Sequence, residues 1–117
     1  MVLAKTQRFQ LFLERLAVAP PAADADGALA LLSAVLNGVE DEHAGVPHDP
    51  ANWQADGRMY PPQADAARLV PGRDGWRRYR NRGHNTLVGV DGAIEIVRLD
   101  GTCLLRKPGA PSEGKGS

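Results

Sequence analysis

Two Asp-Gly pairs, Asp91–Gly92 and Asp100–Gly101, punctuate the run "NTLVGVDGAIEIVRLDGTCLLRK" and leave it few folds to choose from. Each pair stands between apolar runs. Asp-Gly favours a two-residue hairpin turn, because both central positions then need positive φ, which Asp tolerates and Gly adopts freely. Ile94 and Ile96 alternate with charged or branched neighbours, so they share one face of a strand. The spacing predicts an antiparallel meander over residues 84–106, with strands in "NTLVGV", "AIEIVR" and "TCLLRK". "WRRYR", just upstream, supplies a candidate first strand, for a sheet of three to four.

Helical spacing dominates the first third of the chain. Phe9, Phe12, Leu13 and Leu16 fall on one face of a helix over residues 6–18. Thr6 is placed to cap it, since its hydroxyl can accept from a free N–H of the first turn, and "APPAA" stops it because proline cannot continue the hydrogen-bond ladder. Leu29, Leu32, Leu36 and Val39 mark a longer helix over residues 25–43, capped by Asp24 or Asp26 and ended by Gly45 and Pro47. Residues 46–75 are rich in Pro, Gly, Asp and Ala and lack periodicity, so they read as a long loop, with "ADAARLV" able to hold one helical turn. The fold class is therefore α+β, two N-terminal helices packed on a three- to four-stranded antiparallel meander. Residues 1–108 form a single domain, and residues 109–117 a polar tail with little to pack.

Length and composition bound the rest. A chain of 117 residues, 43% hydrophobic and 24% charged, suits one globular domain able to bury a core unaided. Cys103 is the single cysteine, which excludes an intrachain disulfide and a cysteine-rich metal site. Arg8, Glu14 and Arg15 interrupt the apolar N-terminal stretch, so it serves neither as a signal peptide nor as a membrane span. A cytoplasmic protein without membrane contact is expected. Net charge is zero, yet residues 1–50 carry three Lys/Arg against seven Asp/Glu, and residues 51–107 carry ten against six. Such asymmetry marks either a partner surface or two faces of one domain that complement each other.

Two clusters carry the functional expectations. Glu40, Asp41 and Glu42 crowd the C-terminal turn of the second helix, where the helix dipole is also negative. They read either as a solvated helix end or as an acidic surface for a basic partner. "EDEHAGVPHD" matches no standard ligand spacing, so neither a metal nor a cofactor is expected there. The second cluster joins "GRMYPPQ" to "RRYRNRGHNT". Arg58, Arg80 and Lys107 can stabilise phosphate charge, His84 can move a proton near neutral pH, and Thr86 shares its strand face. On an open antiparallel sheet these five residues form the toolkit of a metal-free ribonuclease. A solvated basic strand end uses the same residue types.

The blocks "DGRMYPPQAD", "RYRNRGHNT", "GAIEI" and "KPGA", across roughly residues 50–110, resemble those of small bacterial proteins associated with polymorphic-toxin loci. The resemblance implies either a cytoplasmic immunity protein that neutralises a cognate toxin domain or a small toxin-like nuclease. An immunity protein needs surface complementarity rather than a catalytic set. Its partner-binding residues would come from Arg78, Tyr79, Arg80 and Arg82, or from Glu40, Asp41 and Glu42. A third reading is a nucleic-acid-binding module without catalysis, in which Tyr60, Trp76 and Tyr79 beside arginines stack bases of RNA. The immunity-type reading comes first, because a balanced net charge is modest for a protein that must hold RNA.

Overall fold

A computed structural model describes residues 1–47, 57–80 and 83–111. Two helices, α1 (Lys5–Val18) and α2 (Ala25–His43), precede a sheet whose strands are β1 (Arg68–Leu69), β2 (Arg77–Arg80), β3 (His84–Val88), β4 (Ile94–Arg98) and β5 (Cys103–Lys107). The five strands pair antiparallel in sequence order. The fold is the expected α+β layout with one more strand. That strand, β1, pairs Arg68 with Arg78 and Leu69 with Arg77. Two residues are too short for a readable alternation. The helical turn expected in "ADAARLV" is a 3-10 turn at Ala64–Ala66, immediately upstream of β1.

The helix ends follow from local chemistry. Asp24 caps α2 as expected, its Oδ1 accepting from Gly27 N–H at 2.7 Å. Thr6 does not cap α1. The helix starts at Lys5, and Gln7 reaches back so that its Oε1 accepts from Ala4 N–H at 3.0 Å. That bond satisfies the chain entry from the third helical residue, half of a capping box, and leaves Thr6 exposed in the first turn. At the other end Ala19 N–H donates to Arg15 O and Leu16 O before Pro20.

Both Asp-Gly pairs turn the chain, with a geometry other than the two-residue one. Gly92 has φ 88° and Gly101 φ 94°, while no non-glycine residue has positive φ among the described residues. Gly92 N–H donates to Gly89 O, and Gly89 N–H to Ala93 O; Gly101 N–H donates to Arg98 O, and Arg98 N–H to Thr102 O. Each is a three-residue loop in which a right-handed turn is followed by one left-handed glycine. The aspartates hold the loops from inside, Asp91 Oδ1 accepting from Ala93 N–H at 3.1 Å and Asp100 Oδ1 from Thr102 N–H at 2.9 Å. Only the glycine needs the left-handed region, so aspartate is spared it.

The helices cover one face of the sheet. Phe12, Leu13, Leu16, Ala28, Leu32, Leu36 and Val39 from the helices meet Tyr79, Val88, Ile94 and Ile96 from the strands in one core. Strand alternation then dictates the other face. Arg78 stands opposite Leu87, and Leu87 opposite Glu95; Arg80 stands opposite Asn85, and Asn85 opposite Val97. A bulge between Ile96 and Val97 shifts the β4–β5 register, so that Ile96 meets Leu105 while Val97 meets Cys103. The C-terminal segment begins by packing rather than as a free tail. Ala110 N–H donates to Ala22 O at 2.6 Å. Gly109 lies against the carbonyl of Asp91, and Gly92 against that of Ala22, with no room for a Cβ at either glycine. The rest of the expected tail, residues 112–117, lies outside the described residues.

Candidate functional site

Each carboxylate at the acidic end of α2 is paired with an arginine. Glu40 is fully buried, and its carboxylate takes both contacts from Arg8 Nε, at 2.8 and 3.1 Å. Both terminal nitrogens of Arg8 are also engaged, Nη1 on Leu3 O and Nη2 on Gly57 O, each at 2.7 Å. Arg58 Nη2 binds Asp41 at 2.8 Å, and Arg15 binds Glu42 through two bonds of 3.1 and 3.2 Å. The hydrogen bond from Arg15, reinforced by its charge, holds the Glu42 carboxyl below its ordinary range. Glu40 is thus withdrawn from solvent, while Asp41 and Glu42 stay exposed but are each paired with an arginine. They tie α1 and the Arg58 segment to α2. The hub at Arg8 was missed in the sequence, although one signal for it was there. Arg8 lies four residues before Phe12 and eight before Leu16, on the buried stripe of α1.

The five nuclease candidates do not converge. His84 and Thr86 share a strand face as expected, but it is the helix-covered face. The His84 ring packs on Phe9 with centroids 4.9 Å apart, and burial pushes its pKa below the ordinary histidine value. Thr86 is buried. Lys107, also buried, donates from Nζ to Ala19 O, placing its charge on the carbonyl end of α1. In register Lys107 stands level with Val88, two strands from β3. That puts it about 13 Å along the sheet and about 10 Å across it from His84. A phosphoryl group in reaction needs its acid–base partner and its cation within about 3 Å of the same few atoms. Arg58 is locked to Asp41, and Arg80 projects from the opposite face. Tyr79 is buried in the core, so it offers nothing to a partner. Arg82, together with His48 and Asp49 of the "EDEHAGVPHD" run, lies outside the described residues.

The outer face of the sheet keeps its charge available. Arg78 and Arg80 are exposed, and neither side chain makes a hydrogen bond or an ion pair among the described residues. Leu87, Asn85 and Val97 lie half-buried beside them, and the Oδ1 of Asn85 is buried without a hydrogen-bond partner among the described residues. Toward β5 the arginines share a carboxylate. Glu95 takes two bonds from Arg73, at 2.8 and 3.2 Å, and lies 3.9 Å from Arg106. The Arg73 hydrogen bond holds the Glu95 carboxyl below its ordinary range against the opposing effect of partial burial. Arg73 also stacks over Trp76, 3.7 Å from the ring centroid, and the indole lies so close to Gly89 that a Cβ there would sit 3.0 Å from it. A shallow groove of about 410 Å³ runs past Trp76, Ala93, Glu95, Arg106 and Pro108.

Among the described residues no group of three or more His, Cys, Asp or Glu side chains is placed to hold a metal ion. No helix among them is long and apolar enough to cross a membrane. Comparison with protein-family models, with curated proteins and with solved structures finds no match to this chain.

Proposed function

We propose that this chain is a binding protein of the immunity type, which neutralises a cognate toxin domain by docking the arginine-bearing outer face of its sheet onto it. The observation that carries the reading is the contrast between two sets of charges. Arg8, Arg15, Arg58, Arg73 and Lys107 all serve the fold through named bonds. Arg78 and Arg80 are exposed and serve none among the described residues. Exposed arginine without an internal role is a common anchor of protein interfaces. The resemblance of the "DGRMYPPQAD" and "RYRNRGHNT" blocks to proteins of toxin loci supplies the class of partner.

The ribonuclease reading has less support, because its candidate residues lie on two faces and three of them are buried. The base-stacking reading loses its platform, with Tyr79 in the core and Trp76 covered by Arg73. Co-purification and calorimetry with the toxin domain encoded beside this protein test the proposal. A stable stoichiometric complex that silences the toxin is expected, and no detectable binding refutes it. Incubation with total RNA is expected to leave the RNA intact. Cleavage that disappears in His84→Ala would return the enzyme reading to first place.

A further inference from the structure

We infer that the outer-face patch built by Arg78, Arg80, Leu87, Asn85 and Val97 recognises a protein surface that presents paired carboxylates around an apolar side chain, rather than a nucleic acid. The inference rests on the binding reading above and names the chemistry of its partner.

Three features of the patch point that way. The first is spacing. Arg78 and Arg80 are two residues apart on β2 and share a face, so their Cα atoms stand about 7 Å apart. Carboxylates at alternate positions of a strand, or one turn apart on a helix, match that separation and can each take a guanidinium fork. The second is the apolar neighbour. Leu87 lies directly opposite Arg78, and Val97 lies one strand beyond Asn85, which faces Arg80. Half-buried aliphatic side chains next to arginine provide the dry contact that makes charged pairs effective at a protein interface. They offer nothing to a phosphate backbone. The third is the lack of a stacking platform. Single-stranded nucleic acid needs aromatic faces on which to stack, and among the described residues none is free beside these arginines, since Tyr79 is on the covered face and Trp76 lies under Arg73. A second copy of this chain is a poor occupant. Its densest acidic run, Glu40 to Glu42, is already engaged with Arg8, Arg58 and Arg15.

The test is a titration of the intact protein, followed by backbone amide shifts, against two probes of equal net charge. One is a synthetic peptide with two leucines flanked by glutamates, the other a single-stranded RNA oligonucleotide. The peptide is expected to move the amides of residues 78, 80, 87 and 97 and to bind more tightly than the RNA. Arg78→Glu with Arg80→Glu should weaken the peptide at least tenfold, as loss of interface anchors does, with the circular dichroism spectrum unchanged. Val97→Thr should weaken it too, which a purely electrostatic contact would not show. Tighter binding of RNA, perturbations elsewhere, or no binding of either probe overturns the inference. The toxin domain is titrated separately. If it fails to bind while the peptide still maps to the patch, the immunity assignment falls and the surface chemistry stands. If it binds with the patch unperturbed, the reverse holds.

Discussion

Replacing Arg8 by methionine tests whether the buried hub at the end of α2 holds the fold together. Methionine keeps most of the aliphatic volume on the α1 stripe and removes the guanidinium. Glu40, fully buried, then loses its only cation among the described residues. The carbonyls of Leu3 and Gly57 each lose a donor as well. Breaking a buried ion pair from one side costs about 3–5 kcal/mol, because the surviving charge stays desolvated. A domain of this size has about 5–15 kcal/mol in total, so Arg8→Met should unfold at much lower urea. Arg8→Met combined with Glu40→Leu removes both charges, and apolar replacement of a whole buried pair is often neutral. The double variant should therefore be more stable than either single one. Equilibrium urea unfolding followed by circular dichroism measures all four corners of the cycle. A cost below about 1 kcal/mol for Arg8→Met alone, or costs that simply add in the double variant, would refute the reasoning.

Three further outcomes follow from other parts of the molecule. His84 has its pKa lowered in the fold by burial, so between its ordinary and folded values the unfolded chain binds more protons. Its contribution to stability is full above about pH 6.5 and is lost as the pH falls below that; the drop in urea midpoint between pH 7.5 and pH 5.5 should shrink in His84→Leu, and an unchanged drop would exclude the mechanism. Gly92→Ala should cost more than the roughly 1–3 kcal/mol of a left-handed alanine, because its Cβ would also strike the carbonyl of Ala22, and a thermal midpoint within a degree of wild type would contradict this. Lys107→Met removes the cation from the end of α1 and should cost about 1–2 kcal/mol by urea unfolding, with no effect on peptide binding at the outer face.

The parts of the fold that repeat a period were legible in the sequence. The Phe12–Leu16 stripe, the Ile94–Ile96 alternation and the glycine after each aspartate each report a local geometry, and local geometry is what spacing encodes. Whether Asp91 itself adopts positive φ was not legible, since the two hairpin types share the same dipeptide. The candidate site was legible only by residue type. A pair such as Arg8 and Glu40, 32 residues apart, leaves no mark beyond a charged residue on an apolar stripe. His84 and Thr86 were correctly placed on one face, but alternation does not say which face the helices cover. The Arg73–Glu95 pair left no mark because the loop before β2 meets a strand 22 residues further on, and Trp76, expected as a stacking face, lies under that same arginine. Charges that hold the fold differ from charges that are free only in their three-dimensional partners, which residue type does not encode.

The Arg8 hub also sets the order in which the molecule can be assembled. Every strand pairs with its neighbour in sequence, and the last two hairpins close through three-residue loops, so the sheet can zip from short closures. Arg8 instead bridges separations of 32 residues to Glu40 and 49 residues to Gly57. The entropy of closing a loop grows with its length, so these bonds are expected to form after the short hairpin closures. Interactions made after the barrier govern how fast a protein comes apart rather than how fast it forms. In stopped-flow measurements Arg8→Met should steepen the loss through the unfolding limb, and Gly92→Ala through the refolding limb. If those limbs shift as expected, the hub is a kinetic latch on the folded chain.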